Sequence, residues 1–219
     1  MKLWLATNQG CKAEQFSKLG LCSGILTNPT VLAARSCPPM KVIEELCAAT
    51  SSPVFYQLHD DSVEAMKREV DAYLNRGWPN AGVKVALTPS GCAILHWLRE
   101  QNVELRLATA VASVGCLLLA DILETPWVTP SGSILERLGG QSKIALLTDM
   151  QAALDKQSSK TMLIPSASTP AELVSIALAG IRSAFIWDHA IDRFIDHETT
   201  RQFNKGFDTA WAQLAKHKD

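Results

Sequence analysis

Short apolar runs of four to six residues alternate along the chain with longer stretches in which apolar side chains recur every three or four positions. The short runs read as strands at residues 3–7, 23–27, 54–58, 82–87, 104–108, 126–129, 161–164 and 184–187, and the longer ones as amphipathic helices. Helices are expected over 11–20, 39–50, 62–76, 90–101, 110–121, 146–157, 188–195 and 198–216, with a short helical segment after Ser133 and another helix opened by Pro170. Residue types at their ends agree: Lys18-Leu19-Gly20 closes one helix, and Asn28-Pro29 and Thr169-Pro170 each pair a capping side chain with a proline suited to a first turn. Eight strands alternating with helices over short loops predict parallel βαβ units, and the count of eight selects an α/β (β/α)8 TIM barrel with an additional C-terminal helix. Residues 1–219 then form a single domain.

One run is unusual. Gly82-Val83-Lys84-Val85-Ala86-Leu87 places a cation in a strand apolar enough to be covered on both faces. Alternation puts Lys84 on one face with Gly82 and Ala86, two very small side chains, and Val83 and Val85 on the other. A lysine denied water has a depressed pKa and offers a free amine able to attack a carbonyl. The other reading of the same stretch is a lysine that snorkels to solvent or pairs with a carboxylate.

Chemistry in a barrel sits where the strands run out. Those positions are Ala6 and Thr7, Thr27 and Asn28, Gln57 and His59, Lys84, Thr109, Thr129, Ser166 and Asp188, a polar ring around one lysine. Helix capping accounts for several of them singly. Gln57, inside Phe55-Tyr56-Gln57-Leu58, needs a buried partner or a bound water. His59, two residues on, would share its face if the strand persists that far, and its ordinary pKa suits proton transfer; it also reads as a loop residue before the helix capped by Ser62.

Composition narrows the classes. The chain is 47% hydrophobic and 20% charged with a formal charge of −1, and its Lys and Arg are scattered, so neither nucleic acid nor an anionic membrane is an expected partner. The N-terminus lacks a signal-peptide pattern and no apolar run has membrane-spanning length, which predicts a cytoplasmic protein. The six cysteines show no short metal-type spacing and read as reduced thiols; no metal and no cofactor are expected. No glycine-rich dinucleotide or P-loop pattern follows any strand.

Three stretches carry a resemblance: Gly24-Ile25-Leu26-Thr27-Asn28-Pro29-Thr30, Val83-Lys84-Val85 with Thr88-Pro89-Ser90-Gly91, and Ala108-Thr109-Ala110-Val111. Together they resemble the transaldolase family, specifically its small branch containing fructose-6-phosphate aldolase, over essentially the whole chain. The resemblance implies a Schiff base at Lys84, a proton-shuttling water positioned by Thr109 and Gln57, and donor hydroxyls oriented by Thr27 and Asn28, with Thr129 and Ser166 also binding substrate. Glutamine at 57, where transaldolases proper carry glutamate, is similar to the aldolase branch and favours cleavage over transfer. Relatives of that branch also resemble rings in which the C-terminal helix packs on a neighbour, so a homo-oligomer built through 198–216 is expected.

The departures from the family pattern fall in the same places. Ala6 stands for an expected aspartate, Ser131 for a tyrosine, Ile134 for a phosphate-binding arginine and Ser168 for a second basic residue. Losing two cations removes the charge-assisted bonds of a phosphate pocket; Arg137 lies one helical turn beyond Ile134. The expected function is a class I aldolase-type lyase joining or cleaving a small hydroxyketone and an aldehyde, with His59 taking the acid-base role vacant at Ala6. The alternatives are a transaldolase moving a dihydroxyacetone unit between sugar phosphates, and a catalytically impaired sugar-binding relative.

Overall fold

A computed structural model describes residues 1–59 and 61–215. Its eight parallel strands are β1 (Lys2–Ala6), β2 (Cys22–Leu26), β3 (Val54–Gln57), β4 (Ala81–Ala86), β5 (Arg106–Val111), β6 (Trp127–Pro130), β7 (Met162–Leu163) and β8 (Ser183–Trp187). They pair in the order β7-β6-β5-β4-β3-β2-β1-β8. The seam between β7 and β8 is drawn together by Ser166 bridging Phe185, by Ala167 N–H donating to Phe185 O at 2.7 Å and by Phe185 N–H donating to Pro165 O at 2.8 Å. The result is a nearly closed (β/α)8 barrel. Among the described residues no helix is long and apolar enough to cross a membrane.

Alternation divides the apolar side chains into two cores. Val54, Val83, Val85, Ala108 and Val128 point outward into the layer between strands and helices, while Trp4, Leu26, Phe55, Leu107 and Ile164 fill the interior. Trp4, Phe55 and Trp127 meet at ring-centroid distances of 5.6–5.9 Å, tilted or edge-on, and block the interior. Glycine makes that aromatic plug possible. A Cβ at Gly24 would lie 2.1 Å from the Trp4 ring, and one at Gly82 would lie 2.7 Å from Phe55.

Helix starts follow the caps read from the sequence at Asn28, Ser62 and Thr169, and Thr88 caps in the same way: each accepts from the backbone N–H three residues on. The strands differ from expectation mainly at β5 and β7. β5 runs to Val111, with Ala110 in the left-handed region at φ 61° and a register shift against β6 between Ala108 and Val111. β7 is cut to two residues because Pro165 cannot donate to the ladder. The expected helix 188–195 is split into a 3-10 turn, Asp188–Ala190, and a short helix, Ile191–Ile195. The C-terminal helix spans Glu198–Leu214, and residue 216, the expected end, lies outside the described residues.

Candidate active site

The C-terminal ends of the strands open onto a cavity of about 650 Å³. Lys84 rises from β4 into it, in register with Gln57 on β3 and Leu107 on β5, one step above the pair Phe55–Gly82. The interior face therefore reads, from the plug outward, aromatic ring, lysine, then the Ala86–Thr109 pair. Turning sharply into the next helix needs Gly91, because a Cβ there would sit 1.8 Å from Ala86 O.

Lys84 is 6% exposed. Its ammonium donates to the main-chain carbonyl of Thr27 at 3.0 Å, and burial without a carboxylate partner lowers its pKa from the ordinary 10.5 to about 8. The snorkelling and ion-paired readings of this lysine therefore do not describe it. Near neutral pH an appreciable fraction is free amine, in a cavity whose described lining contains no Asp, Glu or His.

Around it, Thr27, Asn28, Gln57, Thr109, Thr129 and Ser166 all line the same cavity. Thr27 is buried and its hydroxyl donates to Phe55 O at 2.7 Å, so its main contribution is the carbonyl that holds Lys84. Asn28 accepts from Val31 N–H through Oδ1 at 2.8 Å, which leaves its amide N–H2 as the group free for a ligand. Thr129 donates to Thr109 Oγ1 at 2.7 Å, so the Thr109 hydroxyl hydrogen points elsewhere. The Gln57 amide lines the cavity and has no partner among the described residues.

His59 is not brought to the cavity. β3 ends at Gln57, Leu58 turns into the outer core, and His59 is exposed. The cause is Glu69: its carboxylate accepts from the Tyr56 hydroxyl at 2.7 Å and from the His59 backbone N–H at 3.3 Å, drawing the chain toward the helix layer. The same-face placement with Gln57 required a strand two residues longer.

Two charged residues that the sequence pattern did not single out stand on the β6–β7 side. Lys143, at the start of the helix Lys143–Lys156, is buried, and it donates to Ser166 O at 2.6 Å, to Ser166 Oγ at 2.9 Å and to Glu172. On the far side of Ala6, Asp188 accepts from the Thr7 hydroxyl at 2.7 Å, facing a second cavity that shares Ala6 and Trp187 with the first.

No protein-family model matches the chain. Among curated proteins it is similar to probable transaldolase 2 of Listeria monocytogenes, 27% identical over 218 residues, covering 99% of this chain and 98% of the relative. Probable transaldolases of Rhodospirillum centenum and Streptococcus pyogenes are each 24% identical, covering 99% of this chain and 94% and 100% of theirs. The chain is thus similar over nearly its whole length to proteins named as probable transaldolases. Among solved structures, a double mutant of flavocytochrome b2 with pyruvate bound aligns at a TM-score of 0.59 and 12% identity, over 85% of this chain and 56% of that one, which is a likeness of fold alone. Within the transaldolase framework, Ala6, Ser131, Ile134 and Ser168, the four departures, all line the Lys84 cavity, as does Arg137.

Proposed function

We propose that this chain is an enzyme of the transaldolase family, a class I aldolase-type lyase acting on a small hydroxyketone donor and an aldehyde. The observation that carries the reading is the buried, carboxylate-free amine of Lys84, with a pKa lowered to about 8, in a cavity ringed by hydroxyl and amide groups. The amine attacks the donor ketone carbon, and the carbinolamine loses water to give an iminium. That iminium accepts the electron pair released when the carbon-carbon bond breaks, while the hydroxyl of the departing aldehyde gives up its proton. Protonation of the enamine carbon and hydrolysis return the lysine and free ketone.

Thr109 and Gln57 are placed to hold the water that takes and returns those protons, a contribution of about 10² to 10⁴ in rate for a positioned group. Asn28 offers its free amide N–H2 to a donor hydroxyl. His59 has no part in this scheme, since it faces solvent away from the cavity. Six unpaired thiols support a reducing compartment such as the cytoplasm.

Borohydride reduction in the presence of hydroxyacetone or dihydroxyacetone, followed by peptide mass mapping, tests the reading. The expected adduct is a secondary amine on Lys84, abolished in Lys84→Met. Adducts confined to surface lysines such as Lys67 or Lys205 would remove the Schiff base from the mechanism. A second reading, transfer of a dihydroxyacetone unit between sugar phosphates, is favoured by the names of the relatives. Incubation with a ketose alone separates the two: a lyase cleaves it and releases free hydroxyketone, whereas a transferase needs an acceptor aldehyde.

A further inference from the structure

Lys143 is an expensive residue to bury, and the chain has made specific room for it. It is 4% exposed, and a Cβ at Gly132 would come within 2.9 Å of its Cγ, so the glycine after Ser131 clears the path of the lysine stem. An ammonium has three donors, and here they are spent on Ser166 O, Ser166 Oγ and Glu172 Oε1. The second oxygen of Glu172 accepts from Ser168 N–H at 2.6 Å. Burial pushes the Glu172 carboxyl up, but the bonds from Lys143 and Ser168 outweigh it and hold the group below its ordinary value. One ion pair thus pins both ends of Ser166-Ala167-Ser168.

Two consequences reach the cavity. Because Ser166 Oγ already accepts from the ammonium, its own hydrogen is directed elsewhere, either to Ser133 Oγ at 3.4 Å or to a ligand; both serines line the cavity. The charge of Lys143 is meanwhile cancelled at contact distance, and the neighbouring lining residues Ile134 and Ser168 carry none. Arg137, exposed and donating to Ser133 O at 3.3 Å, lines the cavity beside them as a cation without a carboxylate partner among the described residues.

We propose that the buried Lys143–Glu172 pair sets acceptor specificity at this end of the cavity, fixing the Ser166 hydroxyl as a donor to a neutral hydroxyaldehyde and withholding the Lys143 charge from a phosphorylated one. Lys143 and Glu172 are positioning residues, acting through Ser166. The assignment rests on the aldolase reading and narrows its substrate class to unphosphorylated aldehydes.

The test compares kcat/KM for glyceraldehyde and glyceraldehyde 3-phosphate, with hydroxyacetone as donor, in the wild type, in Glu172→Gln and in the double variant Lys143→Met, Glu172→Leu. Borohydride trapping with hydroxyacetone alone is followed in parallel. The wild type should prefer the neutral aldehyde. Glu172→Gln, which leaves the lysine charge uncancelled, should shift the ratio at least tenfold toward the phosphate. The double variant removes both charges together and so avoids an unpaired buried ion; it should raise KM for glyceraldehyde about tenfold with a smaller change in kcat, while trapping is retained. If Glu172→Gln does not fold, the double variant decides. Trapping at Lys84 with the ratio and KM both within twofold of wild type overturns the specificity assignment alone. Absence of trapping in the wild type overturns the Schiff-base reading and this assignment with it.

Discussion

Lys84 ties function to a stability cost that can be measured. Below about pH 8 the lysine is charged in the folded and unfolded states alike, so the folded protein bears the full cost of desolvating it. Between about 8 and 10.5 the folded lysine has lost its proton while the unfolded one keeps it; the unfolded state binds more protons, and stability rises with pH. Above 10.5 the cost has gone. The interval corresponds to about 3 kcal/mol at about 1.4 kcal/mol per pH unit, less about 1 kcal/mol for the hydrogen bond to Thr27 O. Lys84→Met, of similar length and apolar, should therefore be more stable than the wild type by roughly 2 kcal/mol at pH 7, a gap that narrows toward pH 10. Urea unfolding at the two pH values measures it. A wild type as stable as the variant at pH 7 would mean that the amine is not desolvated, and the basis for its nucleophilicity would be lost.

At the scale of elements, the turn that presents Lys84 depends on a single missing methyl group. Gly91→Ala would set a Cβ against the Ala86 carbonyl at a distance no side-chain rotation can relieve, since the obstacle is backbone of the lysine strand itself. Destabilisation of about 3 kcal/mol is expected, at the upper end of overpacking costs, together with reduced trapping at Lys84 in whatever folds. Thermal melts and the borohydride assay read the two effects separately; a variant that melts with the wild type and traps normally would show that the helix can move off the strand freely. The Thr88-Pro89-Ser90-Gly91 stretch stood out in the sequence as part of the family resemblance, and the structure gives its residue types local reasons: cap, first turn, close approach. Local reasons also made the eight strands and the Lys84, Gln57, Thr109 and Asn28 positions readable. What escaped depended on partners distant in sequence. His59 is turned outward by Glu69, ten residues away on the next helix, and nothing in the alternation of β3 announces it. Lys143 and Glu172 are 29 positions apart, each in an ordinary setting, one after the Ser142 cap and the other in the first turn of a helix capped by Thr169. Only the closing of the β6–β7 side brings them to Ser166.

For the whole molecule, the barrel is complete before the C-terminal helix begins, and that helix leaves its apolar side uncovered. Every described residue of Glu198–Leu214 is exposed, including Phe203, Phe207, Trp211 and Leu214 at 56–67%, and the rings of Phe203 and Phe207 stack on each other at 6.5 Å. Spacings of three and four align the four on one stripe with polar residues on the rest of the helix. Three aromatics of about 150–250 Å² each, 59–67% exposed, give a patch of a few hundred Å², of the size that marks an interaction site on a soluble protein. We propose that the cover is a second copy of this chain, whose own stripe offers a self-complementary apolar face. Light scattering of the full chain and of a chain ending at Asp196 tests this. The full chain should be an oligomer, and the shortened one, which keeps all eight strands and the Lys84 cavity, should be smaller yet still trap hydroxyacetone at Lys84. A soluble monomer in both cases would mean that the helix folds back on its own barrel in solution.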